Sequence, residues 1–213
     1  MQNAQEMTRS VASKLFLKPN EVLVASTGVI GHDLPMSKII SGIESLRIGA
    51  NGGHDFAQAI MTTDLTTKEV AVFITDLGIT IGGAAKGSGM IHPNMATMLA
   101  FLSTDAVIDP SFLETIFRKE VGISFNMISV DGDTSTNDSV FILANGQANN
   151  PIIMRGTNNA RVFTSALRFV CHYLAKAIAR DGEGASHLIE VRIEGARSSA
   201  DARSTARTIT TSS

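Results

Sequence analysis

Tryptophan is absent from this chain, and tyrosine and cysteine each occur once. The single cysteine, Cys171, excludes an internal disulfide and any cysteine-built metal cluster, and it is expected to pack as a small hydrophobe. The shortage of large aromatics removes the stacking platforms that hold single-stranded nucleic acid. Charge of one sign is lacking as well. Eighteen basic residues against 20 acidic ones give a net charge of −2, with no general attraction to nucleic acid or an anionic membrane. No apolar run approaches the roughly 18 residues a transmembrane helix needs. Met1–Met7 shows no basic stretch followed by an apolar one, so no secretory signal is expected and a reducing cytoplasm is the default compartment. His32, His54, His92, His172 and His187 include no pair at His-x-x-x-His spacing, so no zinc helix and no metal are expected.

What remains is globular. The chain has 213 residues, 44% hydrophobic and 18% charged, enough to bury a core. Ala4, Met7, Val11, Ala12 and Leu15 recur at helical period, and Lys18-Pro19-Asn20 ends that helix. Val22–Ala25 reads as a short buried strand, followed by a glycine-bearing loop, Ser26–Gly31. Pro35 suits the first turn of a second helix carrying Met36, Ile39, Ile40, Ile43 and Leu46. Asn51-Gly52-Gly53 breaks the chain before a short helix near Asp55–Met61.

Val70, Val72 and Ile74 alternate in a strand over Glu69–Thr75, and Asp76-Leu77-Gly78 turns it into a hairpin with Ile79–Ile81. Gly82–Pro93 reads as a long glycine-rich loop, and Thr97–Thr104 as a buried strand. Asp109-Pro110-Ser111 caps a helix bearing Phe112, Leu113, Ile116 and Phe117. Val140–Leu143 is expected as a strand and Asn159–Arg180 as the longest helix, with Val162, Ala166, Phe169, Val170, Tyr173, Leu174 and Ala177 periodic along it. His172 on that helix is expected to be partly buried. Leu188–Ile193 alternates as a strand, and Ser199–Thr210 reads as a final helix. No repeat or linker-like shift in composition appears, so residues 1–213 are expected to form one α/β unit.

Two loops invite a motif and fail its test. Gly82–Gly89 contains Lys86-Gly87-Ser88 where a phosphate loop needs Gly-Lys-Ser/Thr leading into a helix. A lysine held between glycines, where backbone can approach a ligand, remains unexplained by a plain turn. Asp131–Asp138 begins like a calcium loop but places Thr136 and Ile142 where glycine and glutamate are required. A hydrogen-bonded Asp/Thr turn or an active-site wall are the readings left open.

The informative stretch is Met90–Leu99. Thr97 can be a β-branched strand starter. The alternative is a nucleophile released by self-cleavage, its hydroxyl attacking the Ala96 carbonyl. The new α-amine, with an ordinary pKa of about 7.7–8.0, would then act as base for the hydroxyl beside it. The residues alone leave both open.

Six blocks, in order along the chain, resemble the ornithine acetyltransferase family of arginine biosynthesis, also called the bifunctional glutamate N-acetyltransferases. They are Ser26-Thr27-Gly28-Val29-Ile30-Gly31, Met61-Thr62-Thr63-Asp64, Ala85-Lys86-Gly87-Ser88-Gly89-Met90, Pro93-Asn94-Met95-Ala96-Thr97-Met98-Leu99, Asp131–Asp138 and Arg180-Asp181-Gly182-Glu183-Gly184-Ala185. The resemblance implies a layered α-β-β-α sandwich related to the N-terminal-nucleophile hydrolase-like folds. It implies self-cleavage between Ala96 and Thr97 into residues 1–96 and 97–213, with Thr97 as nucleophile and Thr27 and Gly28 as the oxyanion hole. Thr62, Lys86, Thr97 and Glu183 match the family's substrate-binding positions.

The activity so implied is acetyl transfer from N-acetylornithine to glutamate through an acetyl-threonine intermediate. No cofactor is expected beyond acetyl-CoA as an alternative acetyl source, and two cleaved pairs are expected to associate as a heterotetramer. Leu65 stands where the family usually has threonine, and Ser186-His187 where Thr-Lys is common. Against the family the chain corresponds to the middle half and is expected to be truncated at both ends, lacking an N-terminal Asn-Ala-Asn-type motif and a tail that supplies an Asn and a Thr. The competing expectations are an aminopeptidase or amidase of the N-terminal-nucleophile class, with water as acceptor, and an unprocessed, non-catalytic fragment.

Overall fold

The computed structural model describes residues 1–92 and 98–212. The chain divides into two compact units, Met1–Gly52 and Gly53–Ser213, meeting at the Asn51-Gly52-Gly53 break.

In the first unit, α1 (Gln2–Leu15) packs against α2 (Met36–Ser45). The Lys14 ammonium donates to the Glu44 carbonyl, adding a polar tie between the two helices. α1 stops at Phe16, which takes a left-handed conformation (φ 57°), and the Leu17 amide closes back onto the Ala12 carbonyl at 2.9 Å. Val22–Ala25 is not a strand. The run is apolar enough, but among the described residues no neighbouring strand supplies its ladder, and a strand without a partner leaves its backbone unpaired. Among the described residues the segment from Val22 to Pro35 is irregular, with a turn at Val29–His32 around Gly31 (φ 83°).

The second unit is built on a four-stranded mixed sheet of β1 (Lys68–Ile74), β2 (Ile79–Lys86), β3 (Leu99–Thr104) and β4 (Ser139–Ala144), in that spatial order. β1 to β3 are antiparallel, and β4 runs parallel to β3. A parallel neighbour needs a crossover, and the β3–β4 connection carries α4 (Pro110–Gly122). The short helix α3 (Gly53–Ala59) precedes the sheet, and α5 (Asn158–Arg180) and α6 (Ser199–Thr210) follow it. The starts of α4, α5 and α6 carry side-chain caps: Asp109 accepts from the Phe112 amide at 2.8 Å, Thr157 from Ala160 at 3.1 Å, and Ser198 from Asp201 at 3.1 Å.

The core lies between one face of the sheet and α5. Ile74, Ile79, Ile81, Ala100 and Leu102 meet Phe163, Leu167, Val170, Cys171, Leu174 and Ile178. The buried stripe of α5 is rotated from the expected one. Phe169 and Tyr173 face solvent and stack on each other with ring centroids 6.1 Å apart. Cys171 is fully buried and His172 partly so, as expected.

Two strand expectations are corrected. Gly82–Lys86 is not loop but the second half of β2, because α5 presses directly on it: a Cβ at Gly83 would stand 3.1 Å from both Leu102 and Leu174 side chains. Glycine is weak in strands by propensity, yet here it gives the helix its approach. Leu188–Ile193 alternates correctly but joins no sheet among the described residues, for the same reason as Val22–Ala25. No helix among the described residues is long and apolar enough to cross a membrane.

Candidate active site

The sheet register gathers the chemistry at one end. Lys86, the last residue of β2, pairs with Leu99 at the start of β3, and Leu99 pairs with Ser139 at the start of β4. Gly87, Met98 and Asp138 therefore leave the sheet at the same edge. Two carboxylates hold that edge by accepting backbone N–H groups: Asp64 takes Gly87 at 2.7 Å, and Asp138 takes Met98 at 2.7 Å.

Asp64 belongs to a buried ion cluster that the sequence did not single out. The Lys68 ammonium donates to Asp64 Oδ1 at 2.6 Å, to Asp181 Oδ2 at 2.5 Å and to the Thr66 carbonyl at 3.3 Å. All three of its protons are thereby used. Lys68 is 2% exposed, and its two carboxylate partners are buried with it. Asp64 Oδ2 also accepts the Thr62 amide, and Asp181 Oδ2 accepts the amides of Leu65 and Thr66. Burial alone would push the Asp64 carboxyl up, but the donors from Gly87, Lys68 and Thr62 outweigh it and hold the group below the usual carboxylate range.

Lys86 contrasts with Lys68. It is equally buried, 2% exposed, yet among the described residues no hydrogen bond reaches its ammonium. Burial pulls its pKa down; Asp64, Asp138 and Glu183 pull it back, and the neighbouring Lys68 adds to the fall. A buried cation without a hydrogen-bonded partner is costly unless something else supplies the anion. The Asp138 carboxyl is pushed up to about 6 by its burial, against the opposing pull of the Met98 amide and Lys86. Asp138 and Met98 also line an open cavity of about 570 Å³ with Phe117, Val121 and Arg118.

Glu183 approaches from the turn after α5. Its amide donates to the Ser88 carbonyl at 2.6 Å, and Thr63 and Ser88 share a hydroxyl hydrogen bond at 2.6 Å. The Glu183 carboxylate lies against Gly89: a Cβ there would fall 2.6 Å from Oε2. Asp131 ties down the far side of the loop by accepting from the amides of Met90 and Ile91, and it also accepts from the Asp133 amide at 3.1 Å within its own turn. No cluster able to hold a metal occurs among the described residues.

The expected site residues are thus placed as follows. Thr62, Lys86 and Glu183 come together around Asp64, Lys68 and Asp181. Thr27, partly buried, and Gly28 lie in the irregular segment of the first unit. Ala96 and Thr97 fall outside the described residues. Asp64 and Asp181 sat inside recognisable blocks, but Lys68 opens a strand and reads in sequence as an ordinary surface charge.

The model of the ArgJ family matches residues 1–213. The chain belongs to the ArgJ family. It is 53% identical over 211 residues to the arginine biosynthesis bifunctional protein ArgJ of Dehalococcoides mccartyi, covering 98% of this chain and 52% of that protein. The ArgJ of Listeria monocytogenes is 49% identical over 216 residues, covering 100% of this chain and 54% of the other, and that of Bacillus subtilis is 49% identical over 211 residues. The chain therefore spans about half the length of the curated relatives it matches. A crystal structure of the ArgJ of Bacillus halodurans aligns with a TM-score of 0.49 and 43% identity over 50% of each chain.

Proposed function

We propose that this chain is the core of an acetyltransferase that moves acetyl from N2-acetylornithine to glutamate in arginine biosynthesis, after cutting itself between Ala96 and Thr97. The observation that carries this reading is a buried Lys86, whose ammonium takes no hydrogen bond among the described residues, within electrostatic reach of the Glu183 carboxylate at the same sheet edge. Ornithine and glutamate share an α-carboxylate, which suits Lys86. The side-chain ammonium of ornithine suits Glu183.

In processing, the Thr97 hydroxyl attacks the Ala96 carbonyl carbon. The C–N bond breaks, the nitrogen takes the hydroxyl proton, and Ala96 is left as an ester on Thr97 Oγ. Water hydrolyses the ester, releasing Ala96 as a carboxylate and restoring the hydroxyl beside the α-amine that the shift has already freed. That amine takes the proton from its own hydroxyl as Oγ attacks the acetyl carbonyl of N-acetylornithine. Thr27 and Gly28 donate to the tetrahedral oxyanion, a contribution of roughly 3 kcal/mol per donor. Collapse expels ornithine with the proton and leaves acetyl-Thr97, which the glutamate amine attacks in the second half-reaction. Acetyl-CoA is a further acetyl donor to test, and no step here calls on a metal.

In the same reading the sheet is one half of an α-β-β-α sandwich. Its face away from α5 carries Phe73, Phe101, Phe141 and Leu143, with Phe101 edge-to-face against Phe56 and Phe141. Phe73 and Leu143 are each 62% exposed, which suits a face that a second sheet covers. Two cleaved pairs would associate as a heterotetramer in the cytoplasm.

Intact-mass spectrometry tests processing: the wild-type chain should give fragments ending at Ala96 and beginning at Thr97, and Thr97→Ala should remain whole. An assay with N-acetylornithine, with and without glutamate, then separates transfer from hydrolysis. A single uncleaved wild-type mass without acetyl transfer defeats the proposal.

A further inference from the structure

The three substrate-side residues do not touch one another through any strong bond of their own. They are joined through Lys68. Asp64, one of its partners, accepts the amide of Thr62 and the amide of Gly87, the residue after Lys86. Asp181, its other partner, lies two residues before Glu183 and accepts the Leu65 amide at 2.9 Å. The Ser88 carbonyl, one residue beyond Gly87, accepts the Glu183 amide. One ammonium thus bridges chain segments 113 residues apart. A hydrophobic side chain of similar length could fill the same space, but it could not satisfy two buried carboxylates.

We propose that Lys68 is a positioning residue: its bridge between Asp64 and Asp181 locks the Thr62–Asp64 turn, the Lys86–Gly89 loop and the Asp181–Glu183 turn into one cradle for the amino-acid substrate. The inference rests on the acetyl-transfer reading for the identity of that substrate, though not for the existence of the cradle. Lys68 itself touches no substrate. It spends all its donors within the protein. Its effect passes through the spacing between a cation and an anion that hold the two ends of a zwitterion. Contacts of that kind act on bound substrate and transition state alike, so their loss appears in KM before kcat.

The test uses the full chain and the variants Lys68→Met, Lys68→Arg and Glu120→Gln. Glu120→Gln weakens the half-buried ion pair of Glu120 with Arg168, which reaches none of the cradle segments. In amide hydrogen exchange, Lys68→Met should lose protection jointly in residues 62–66, 87–90 and 181–185 while the centre of α5 keeps it. KM for N-acetylornithine should rise roughly 10- to 100-fold, as expected for misplaced binding groups, with kcat changed by less than about threefold. Lys68→Arg should restore part of both, and Glu120→Gln should lower Tm without moving either. Protection lost only around residues 62–68, or a KM shift matched by Glu120→Gln, overturns the proposal. Where Lys68→Met does not fold, Asp181→Asn keeps an acceptor for Leu65 and carries the same two readouts. A wild-type chain without acetyl transfer defeats the functional reading, and the exchange pattern then still decides the role of Lys68.

Discussion

Asp138 accepts the Met98 amide at 2.7 Å, and Met98 directly follows the threonine on which the proposed chemistry turns. This carboxyl titrates near 6, raised by burial, whereas in the unfolded chain it would titrate near 3.8. A raised acid binds its proton more tightly when folded, so stability falls as pH climbs from about 4 to about 6 and stays lower above that. Asp138→Asn removes this loss. Urea unfolding should show the variant more stable than wild type at pH 7.5, by on the order of 1–2 kcal/mol after allowance for partial solvent access, and nearly equal at pH 4. A pH-independent difference would place the effect in packing instead.

How far the sequence carried this picture depended on distance along the chain. The helices α1, α4, α5 and α6 were legible because period and cap are local: Asp109 and Ser198 each sit three residues from the amide they cap. The β1–β2 hairpin was legible through its turn. Val22–Ala25 and Leu188–Ile193 were misread because an alternating run shows that a strand could form, not that a partner exists. Gly82–Lys86 was misread because the reason for its glycines, Leu174 pressing from α5, lies some ninety positions away, well outside any local window. Thr62 and Glu183 were singled out only through resemblance, and Lys86 also as a lysine held between glycines. Lys68 was missed because its decisive partner is Asp181, and no local pattern announces an ion pair across 113 residues.

Gly89 offers a test of Glu183 that leaves the carboxylate itself intact. Gly89 does not need a left-handed backbone, so Gly89→Ala adds only a methyl group, placed 2.6 Å from Glu183 Oε2 and so too close for the carboxylate to stay. A flexible carboxylate can swing aside, and the fold should keep its stability to within about 1 kcal/mol. The displaced Glu183 should raise KM for N-acetylornithine roughly 10-fold, because binding groups lose their effect when shifted by an ångström. Differential scanning calorimetry and steady-state kinetics on the same preparation check both halves.

The Glu120–Arg168 pair tests stability without function. Arg168 donates through Nε and Nη2 to the two oxygens of Glu120, at 2.9 and 3.0 Å, and Glu120 is fully buried while the Arg168 side chain is 46% exposed. Arg168→Leu strands a buried carboxylate and should cost about 2–4 kcal/mol at pH 7, less than a wholly buried pair because water reaches one side. Urea melts of Arg168→Leu and of the double variant Arg168→Leu/Glu120→Gln at pH 7 measure it: the double variant should recover part of the loss, and equal losses in both would show that the lost packing of the arginine stem dominates.

Lys86 should show the reverse trade. Its ammonium is buried without a hydrogen bond among the described residues, and burial is the largest influence on it, lowering its pKa. Folding therefore bears a desolvation penalty that Asp64, Asp138 and Glu183 offset in part and that a bound anion relieves further. Lys86→Met keeps the stem and discards the charge, so it should raise stability by about 1–2 kcal/mol, as expected where a functional group is held under strain. The same change should weaken binding of N-acetylornithine and glutamate alike, since both present an α-carboxylate. Thermal melts with and without glutamate decide the matter. Wild type should gain several degrees from saturating glutamate and Lys86→Met almost none, while the variant melts higher in its absence. A variant that melts lower than wild type, yet still responds to glutamate, would assign Lys86 to the architecture of the sheet edge rather than to the substrate.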